Sequence, residues 1–155
     1  MDYIISKASK RIFVLYQLVR SGLCVDDVIA VYCSLVRSIL EYACPVWHCG
    51  FTKCQSDEIE SVQRRCLKIL FPDLSYKDAL QITGLELLSI RRETQVRKLF
   101  NEIKCRGHVL NNLLPANNVD NRSYPLRDTY PYKMPRARTD RLLRSFVWYC
   151  VRKRF

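Results

Sequence analysis

The stretch Thr52–Pro72, TKCQSDEIESVQRRCLKILFP, decides the fold because it contains the main signals of one amphipathic helix. Thr52 and Gln55 have capping-box spacing, so the sequence predicts a helix over about Lys53–Phe71 that Pro72 ends. Acidic residues precede basic ones along it, the order that the helix dipole favours. The apolar residues recur at helical spacing and predict a face buried in a core: Ile59, Val62, Cys66, Leu67, Ile69 and Leu70.

Two helices are predicted before this stretch. Apolar residues recur every three or four positions over about Asp2–Ser21, and Gly22 supplies a helix end. Asp26 and Asp27 fit the N-cap and first turn of a second, very apolar helix. Pro45 disfavours helical geometry at Cys44 and is expected to end that helix there.

Further helices are predicted after it. Ser75 and Gly84 bracket a short helix, and Ser89 is expected to cap a longer one that runs to about Arg106. A short turn is expected over His108–Leu114. The predicted fold class is all-α: a small bundle of four main helices plus short ones over residues 1–114, without a convincing strand.

The character of the chain changes at Pro115. A polar breaker follows, and three of the six prolines lie between Pro125 and Pro135, which forbids a long helix there. A final helix is expected from Thr139. The polar breaker consists of Asn117, Asn118, Asp120 and Asn121. Residues 115–155 are therefore predicted to form an irregular, Pro-containing basic C-terminal extension.

The charge of the chain points to a polyanionic partner. The 155 residues include 26 Lys and Arg against 15 Asp and Glu, a net charge of +11. Residues 121–155 alone carry ten basic and two acidic groups, a net charge of +8. This asymmetry favours a balanced helical domain followed by a segment attracted to nucleic acid, although a basic tail that only aids solubility stays an alternative.

Composition excludes several classes of protein. Four glycines leave no glycine-rich phosphate loop. The eight cysteines are about 5% of residues, too few for a disulfide scaffold, and no export signal is visible, so reduced thiols in an intracellular protein, nuclear or cytoplasmic, are expected. The longest uncharged apolar run, Val28–Val36, is far shorter than the roughly 20 residues of a membrane span, which predicts no membrane partner.

No residue pattern predicts a catalytic or metal site. The pair Asp26-Asp27 fits a helix start better than a Mg²⁺ site. Cys44, His48, Cys49 and Cys54 lack the paired spacing of zinc ribbons, and buried thiols are the favoured interpretation, although zinc binding by these four stays open. Neither His48 nor His108 occurs in a recognisable catalytic setting. No cofactor is predicted.

Basic residues with neighbouring aromatics are the remaining functional signal. Arg91, Arg92, Arg97 and Lys98 form one further basic run, and Tyr130, Tyr132 and Trp148 accompany the C-terminal arginines. Such groups neutralise phosphates and stack on bases. The candidate nucleic-acid-binding residues lie on the first helix, the third helix and the C-terminal segment: Lys7, Lys10, Arg11, Arg64, Arg65, Lys68, Arg136, Arg138 and Arg141.

Several blocks in order carry a resemblance to a known family. The most specific is LEYACPVWH, residues 40–48; it is preceded by SKASKR, residues 6–11, and followed by ESVQRR, residues 60–65, with Lys68-Ile69. LLP at 113–115, YPLR at 124–127 and RTDR at 138–141 complete the set. Over about residues 2–149 the chain resembles the region just downstream of the polymerase palm in reverse transcriptases of LINE-type, non-LTR retrotransposons.

The resemblance implies a thumb-like helical domain with a C-terminal extension that helps to hold template and primer. The catalytic palm of an RNA-directed DNA polymerase has no counterpart in the sequence, so we expect a non-catalytic fragment of such a transposable-element protein, not an enzyme. Its expected partners are RNA and DNA, as an RNA–DNA hybrid or primer-template, and a polymerase palm domain. The preference between RNA and DNA stays open.

Two other functions remain as alternatives. A helical protein-interaction module that docks on a missing palm domain would expose apolar area around Val28–Tyr42 and self-associate. An intact enzyme would show metal-dependent turnover that substitution of Asp26 and Asp27 abolishes.

Overall fold

The computed structural model describes residues 2–117, 132–136 and 138–155, and 73% of these are helical. The only extended pairing among them is one isolated bridge between Asn117 and Tyr132. The predicted all-α class is confirmed. The helices are α1 (Asp2–Arg20), α2 (Val25–Val31), a π-helical segment (Tyr32–Arg37), α3 (Ser38–Glu41), α4 (Cys44–Trp47), a 3₁₀ turn (His48–Gly50), α5 (Lys53–Leu70), α6 (Tyr76–Thr83), α7 (Leu88–Ile103), a 3₁₀ helix (Val109–Leu113), α8 (Asp140–Leu143) and α9 (Phe146–Lys153).

The chain forms two compact units. Unit 1 comprises Met1–Cys44 and Phe51–Arg92, and unit 2 comprises Pro45–Gly50 and Glu93–Phe155. This division falls inside α7, whereas the sequence analysis places a boundary after residue 114. The difference has a physical cause, because apolar side chains of α9 pack against Val96 and Phe100 of α7 and so join both parts of the chain in one core.

Unit 1 is built around the apolar helix α2 and its continuation through the π-helical segment and α3. α1 packs against this continuation and against α5, and α6 packs against α5. The side chains that meet there are shielded from water, while Asp26, Ser34 and Ser38 lie on the exposed side of the same helical run. The fully or almost fully buried members of this core are Ala8, Leu15, Val28, Tyr32, Val36, Leu40, Ile59, Val62, Cys66, Leu67, Ala79 and Leu88.

Unit 2 has a small core of its own. Phe155 belongs to it: its N–H donates to the Cys150 carbonyl at 3.3 Å, and the Arg97 guanidinium lies 4.7 Å from its ring centre. The Lys104 ammonium also donates to the carbonyl oxygen of Phe155. The buried centre of this core consists of Cys49, Val96, Phe100, Cys150 and Val151.

The predicted helix starts and ends are confirmed where a residue close by in the sequence caps or terminates the helix. Gln55 N donates to Thr52 Oγ1 at 3.3 Å and Thr52 N to Gln55 Oε1 at 3.1 Å, the complete capping box of α5. Ser75 caps α6, and Gly84 ends it with φ of 64°. Gly22 follows α1 with φ of 78°.

The second predicted helix differs from the structure at both ends. Cys24 is the N-cap residue of α2, and Asp26 and Asp27 both lie in its first turn, where the helix dipole still favours them. The helical run ends at Glu41 rather than Cys44, because Ala43 takes a left-handed φ of 50°. Pro45 then lies in the first turn of α4, where its missing N–H breaks no hydrogen bond.

The predicted cap of α7 is wrong. α7 begins at Leu88, so Ser89 lies inside the helix. The N–H of Leu88 donates to Glu60 Oε1 at 3.3 Å, and a carboxylate of α5 thereby replaces a local cap. The C-terminal helix expected from Thr139 is divided at Arg144 and Ser145 into α8 and α9. The predicted turn at His108–Leu114 is a 3₁₀ helix.

Part of the predicted C-terminal pattern lies outside the described residues: Asn118, Asp120, Asn121, the block YPLR at 124–127 that includes Pro125, and Tyr130.

Candidate nucleic-acid interface

Three basic side chains of α5 form one exposed surface, which we call the α5 cationic face: Arg64, Arg65 and Lys68. They lie on the C-terminal half of α5, at positions i, i+1 and i+4, and so fall within about 100° of its circumference. All three are exposed, while Cys66 and Leu67 between them are buried in unit 1. The amphipathic period of α5 therefore separates its apolar and cationic sides.

Neighbouring groups hold these cations without neutralising them. Arg65 Nη2 donates to Ser9 Oγ of α1 at 2.7 Å, and Lys68 Nζ donates to the Pro72 carbonyl. The Arg64 guanidinium lies 5.1 Å from the ring centre of Tyr76. Within residues 2–117, 132–136 and 138–155, none of the three forms an ion pair with a carboxylate. Most of their N–H donors stay available, because a guanidinium has five and an ammonium three.

Two cavities flank the α5 cationic face. The first, of about 440 Å³, lies between α1 and α5 and is lined by Ser9, Ile12, Phe13, Arg65, Lys68 and Ile69. The second, of about 450 Å³, lies between α5 and α6 and includes Tyr76 and all three cations. Phe13 is 64% exposed. Sequence reasoning missed both aromatic neighbours, although the position of Phe13 outside the apolar stripe of α1 was a usable signal.

A buried polar network fixes the backbone beneath this face. The Tyr32 hydroxyl donates to Gln63 Oε1 at 2.6 Å, and Gln63 Nε2 donates to the Tyr76 hydroxyl and the Glu86 carbonyl, each at 3.0 Å. The Tyr76 hydroxyl in turn donates to Glu60 Oε1. Burial raises the pKa of both tyrosines, and for Tyr76 the hydrogen bond to Glu60 raises it further. The network therefore stays neutral at its hydroxyl groups and ties α5 to α6 and to the apolar helix.

The cations predicted on the first helix are exposed but do not all join the α5 cationic face. Lys7 lies at a different cavity with Tyr3, its ammonium 5.8 Å from the centre of that ring. Residues two positions apart in the sequence are separated by about 200° around a helix. Lys7 and Ser9 therefore lie on nearly opposite flanks of α1. Lys10 and Arg11 are exposed on α1 as well. The structure thus brings Arg64, Arg65 and Lys68 together and places Lys7 elsewhere.

The C-terminal candidates lie in unit 2. Arg136, Arg138 and Arg141 are all exposed, Arg141 within α8. In the described part of the chain no carboxylate pairs with any of them; the nearby Asp140 lies 3.6 Å from Arg144 instead. Tyr132 of the predicted basic-aromatic pattern is partly buried against the unit 2 core.

The third basic run expected from the sequence is not a surface of free cations. Arg91 forms a two-pronged ion pair with Glu41, with N–O distances of 2.6 and 3.2 Å, and this bond raises its pKa. Arg92 is completely buried, donates to Ser56 Oγ at 2.7 Å, and has its pKa lowered by burial. Arg97 covers the ring of Phe155. Only Lys98 remains as an exposed cation of that run without such a contact.

The candidate metal and catalytic residues are not assembled into a site. In the part of the chain that the structure describes, no three His, Cys, Asp or Glu side chains converge as metal ligands. Cys44 is buried in the first unit and Cys49 in the second, while Cys54 is exposed. All eight cysteines are free thiols, and burial raises the pKa of Cys49 to about 11 and that of Cys66 to about 12. Asp26 and Asp27 are exposed at the start of α2.

One helical stretch among the described residues, Val25–Gly50, has the length and composition of a membrane span. The core helix of a folded domain meets the same test. Here 28% of that window is buried inside the structure, including Val28, Tyr32, Val36 and Leu40. The absence of a membrane partner, predicted from the shorter run Val28–Val36, stays a prediction.

No family model, no curated protein and no solved structure matches this chain.

Proposed function

We propose that this chain binds nucleic acid without catalysing a reaction on it, and that the α5 cationic face neutralises backbone phosphates. The observation that carries the proposal is the set of three exposed, unpaired cations Arg64, Arg65 and Lys68, held in place by neutral partners. Fixed cations lose little side-chain entropy when a phosphate arrives, and they release its counterions.

The resemblance to LINE-type reverse transcriptases supports the choice of ligand. The block ESVQRR with Lys68 contains the whole α5 cationic face, so the resembling residues and the unpaired cations coincide. We therefore propose an RNA–DNA hybrid or primer-template as the ligand, and a retrotransposon-derived RNA-directed DNA polymerase as the origin of the chain. Arg136, Arg138 and Arg141 are proposed as a second phosphate-binding patch.

A salt titration tests the proposal. Binding of the full chain to a fluorescein-labelled RNA–DNA hybrid is measured by anisotropy at increasing salt. A plot of log affinity against log salt concentration has a negative slope, and each phosphate contact contributes about −0.9 to it. The triple variant R64Q/R65Q/K68Q loses three such contacts, so its slope should be less negative than that of the wild type by roughly 3. No binding at low salt, or binding independent of salt, contradicts the proposal.

A matched variant separates the α5 cationic face from net charge alone. Lys53, Lys98 and Arg106 are exposed and form no ion pair in the described part of the chain. K53Q/K98Q/R106Q removes the same charge and should leave the slope within about one contact of wild type. An equal decrease in the steepness of the salt dependence in both triple variants would show that hybrid binding depends only on net charge.

Docking on a polymerase palm domain remains a second candidate function. The surface that this alternative predicted, Val28–Tyr42, presents only Tyr42 as a strongly exposed large apolar side chain. Unit 2 offers a better surface, an apolar cavity of about 220 Å³ beside Val46 and Leu113, which are 79% and 65% exposed. Self-association that Leu113→Asp abolishes in sedimentation, with hybrid binding unchanged, would favour this function.

A further inference from the structure

A further cavity of unit 1 is distinct from the two beside the α5 cationic face. It lies between α1 and α3, has a volume of about 400 Å³, and we call it the tyrosine cleft; it is lined by Tyr3, Ile4, Lys7, Ser38, Ile39 and Tyr42. Its volume falls in the range of about 300–1,000 Å³ typical of small-ligand sites. Nothing in the phosphate-binding role assigned to Arg64, Arg65 and Lys68 uses it.

The two tyrosines of the cleft are presented to solvent. Tyr3 is 75% exposed in the first turn of α1, and Tyr42 is 77% exposed at the end of α3. α3 ends at Glu41 with Tyr42 as its C-cap residue, and Ala43 directly after Tyr42 takes a left-handed φ of 50°. Isolated exposed aromatics are ordinary, but two that line one cavity offer flat apolar surfaces to a common ligand.

The remaining groups of the cleft fit an anionic ligand with a flat ring. Ile4 and Ile39 are partly buried and form an apolar floor. The Lys7 ammonium lies over one face of the Tyr3 ring, 5.8 Å from the ring centre, so the other face is the one open to a base. Arg11 follows Lys7 one helix turn later on the same flank of α1. The Ser38 hydroxyl donates its proton to the Ser34 carbonyl, so towards a ligand it can only accept a hydrogen bond. Aromatic faces beside a track of cations are the composition of sites that bind single-stranded nucleic acid.

We propose that the tyrosine cleft binds an unpaired base of a single-stranded nucleic acid, with the base against the rings of Tyr3 and Tyr42 and the adjoining phosphate at Lys7. This inference rests on the proposed nucleic-acid binding and adds the class of ligand at a second place on unit 1. A base inside a duplex is already stacked on both faces, so the cleft selects single strands. The net charge of +11 favours a nucleic acid over an apolar protein segment at this surface.

The test compares strands with and without bases. Anisotropy of the full chain is measured with a labelled oligothymidylate, with an abasic strand of the same length, and with a duplex, all at one low salt concentration. Y3L/Y42L keeps apolar bulk but removes both rings and should weaken oligothymidylate binding about tenfold, within the range of base–aromatic stacking. Binding of the abasic strand and of the duplex should change less than about twofold.

Two matched variants control the interpretation. Y3F/Y42F keeps the rings and should retain the affinity of the wild type. Tyr16 is an exposed tyrosine of α1 about 180° from Lys7 around the helix, so Tyr16→Leu should leave binding to all three probes unchanged. Thermal unfolding followed by circular dichroism checks that each variant is folded at the temperature of the binding assay.

The outcomes distinguish this inference from the proposed function. If the wild type binds the hybrid with the expected salt slope but Y3L/Y42L binds oligothymidylate normally, the tyrosine cleft inference alone is wrong. An equal loss on the abasic strand, or a loss in Y3F/Y42F, also overturns it. Unchanged strand binding with lost self-association, or with lost binding to anionic phospholipid vesicles, would assign the tyrosines to a protein or membrane contact instead. If the wild type binds none of the probes, both proposals fail.

Discussion

Replacing Gln63 with leucine tests the buried polar network beneath the α5 cationic face. Gln63 is completely buried and makes three hydrogen bonds, to the Tyr32 hydroxyl at 2.6 Å and to the Tyr76 hydroxyl and Glu86 carbonyl at 3.0 Å each. Leucine has a similar size, so the substitution removes hydrogen bonds without opening a large cavity. The Tyr32 hydroxyl is then buried without an acceptor.

The magnitude follows from the groups left unpaired. An unsatisfied buried hydroxyl costs about 1–3 kcal/mol, and losing the hydrogen bond to the carbonyl of the exposed Glu86 adds about 0.5–1.5 kcal/mol. Gln63→Leu should therefore lower the free energy of unfolding by about 2–4 kcal/mol. Tyr32→Phe alone leaves Gln63 Oε1 unpaired and should cost about 1–3 kcal/mol. The double variant Y32F/Q63L removes both the Tyr32 hydroxyl and Gln63 Oε1, so neither is left unpaired. Its free energy of unfolding should therefore be no lower than that of Gln63→Leu alone.

Urea denaturation of the four proteins measures this cycle. The expected coupling between the two positions is at least about 1 kcal/mol, and Gln17→Leu, the same change at an exposed position of α1, should stay within about 0.5 kcal/mol of wild type. Additive losses in the double variant would refute the reasoning, because they would show that the Tyr32–Gln63 bond does not link the two residues energetically.

Two further predictions concern the capping box and a buried thiol. Thr52→Ala removes the side-chain acceptor for Gln55 N and should lower the free energy of unfolding by about 1 kcal/mol in urea, whereas Thr52→Ser should retain it. Burial raises the pKa of Cys66 from 9.0 to about 12, so the unfolded chain loses this proton first, and stability should fall as pH rises above 9. Between about pH 8 and 10, the free energy of unfolding should fall by about 1 kcal/mol less in Cys66→Ala than in the wild type. The same pH profile in both proteins would contradict the raised pKa of Cys66.

The helices that the sequence predicts well are those whose ends are set by neighbours in the chain. Thr52 with Gln55 and Ser75 with Gly84 act over a few residues, and the structure contains each of these caps. α7 differs because its first N–H is satisfied by Glu60, 28 residues earlier, and no local pattern reveals that partner. The six-residue π-helical segment after α2 is equally hidden, since its hydrogen-bond register depends on packing.

The candidate interface was predictable only in part, because partners distant in the sequence decide which basic side chains stay free. A run of basic residues in a sequence does not show which carboxylates reach it after folding. Arg91 is neutralised by Glu41, which lies 50 residues away in the chain, and Arg92 is buried, although both belong to a run that resembles an exposed cationic face. Lys7 was placed on the correct helix, but the flank it occupies depends on how α1 packs.

The hydrogen bonds of Glu60 help to explain why Arg64, one member of the α5 cationic face, stays unpaired. On an exposed helix, a glutamate four residues before an arginine forms a stabilising ion pair, and Glu60 and Arg64 have that spacing. Here the Glu60 residue is 8% exposed, and its Oε1 accepts hydrogen bonds from Leu88 N and the Tyr76 hydroxyl. Arg64 is left over the ring of Tyr76, at 5.1 Å from its centre. The contact that starts α7 therefore also occupies Glu60 Oε1, and Arg64 forms no ion pair within the described residues, as the proposed phosphate contact requires.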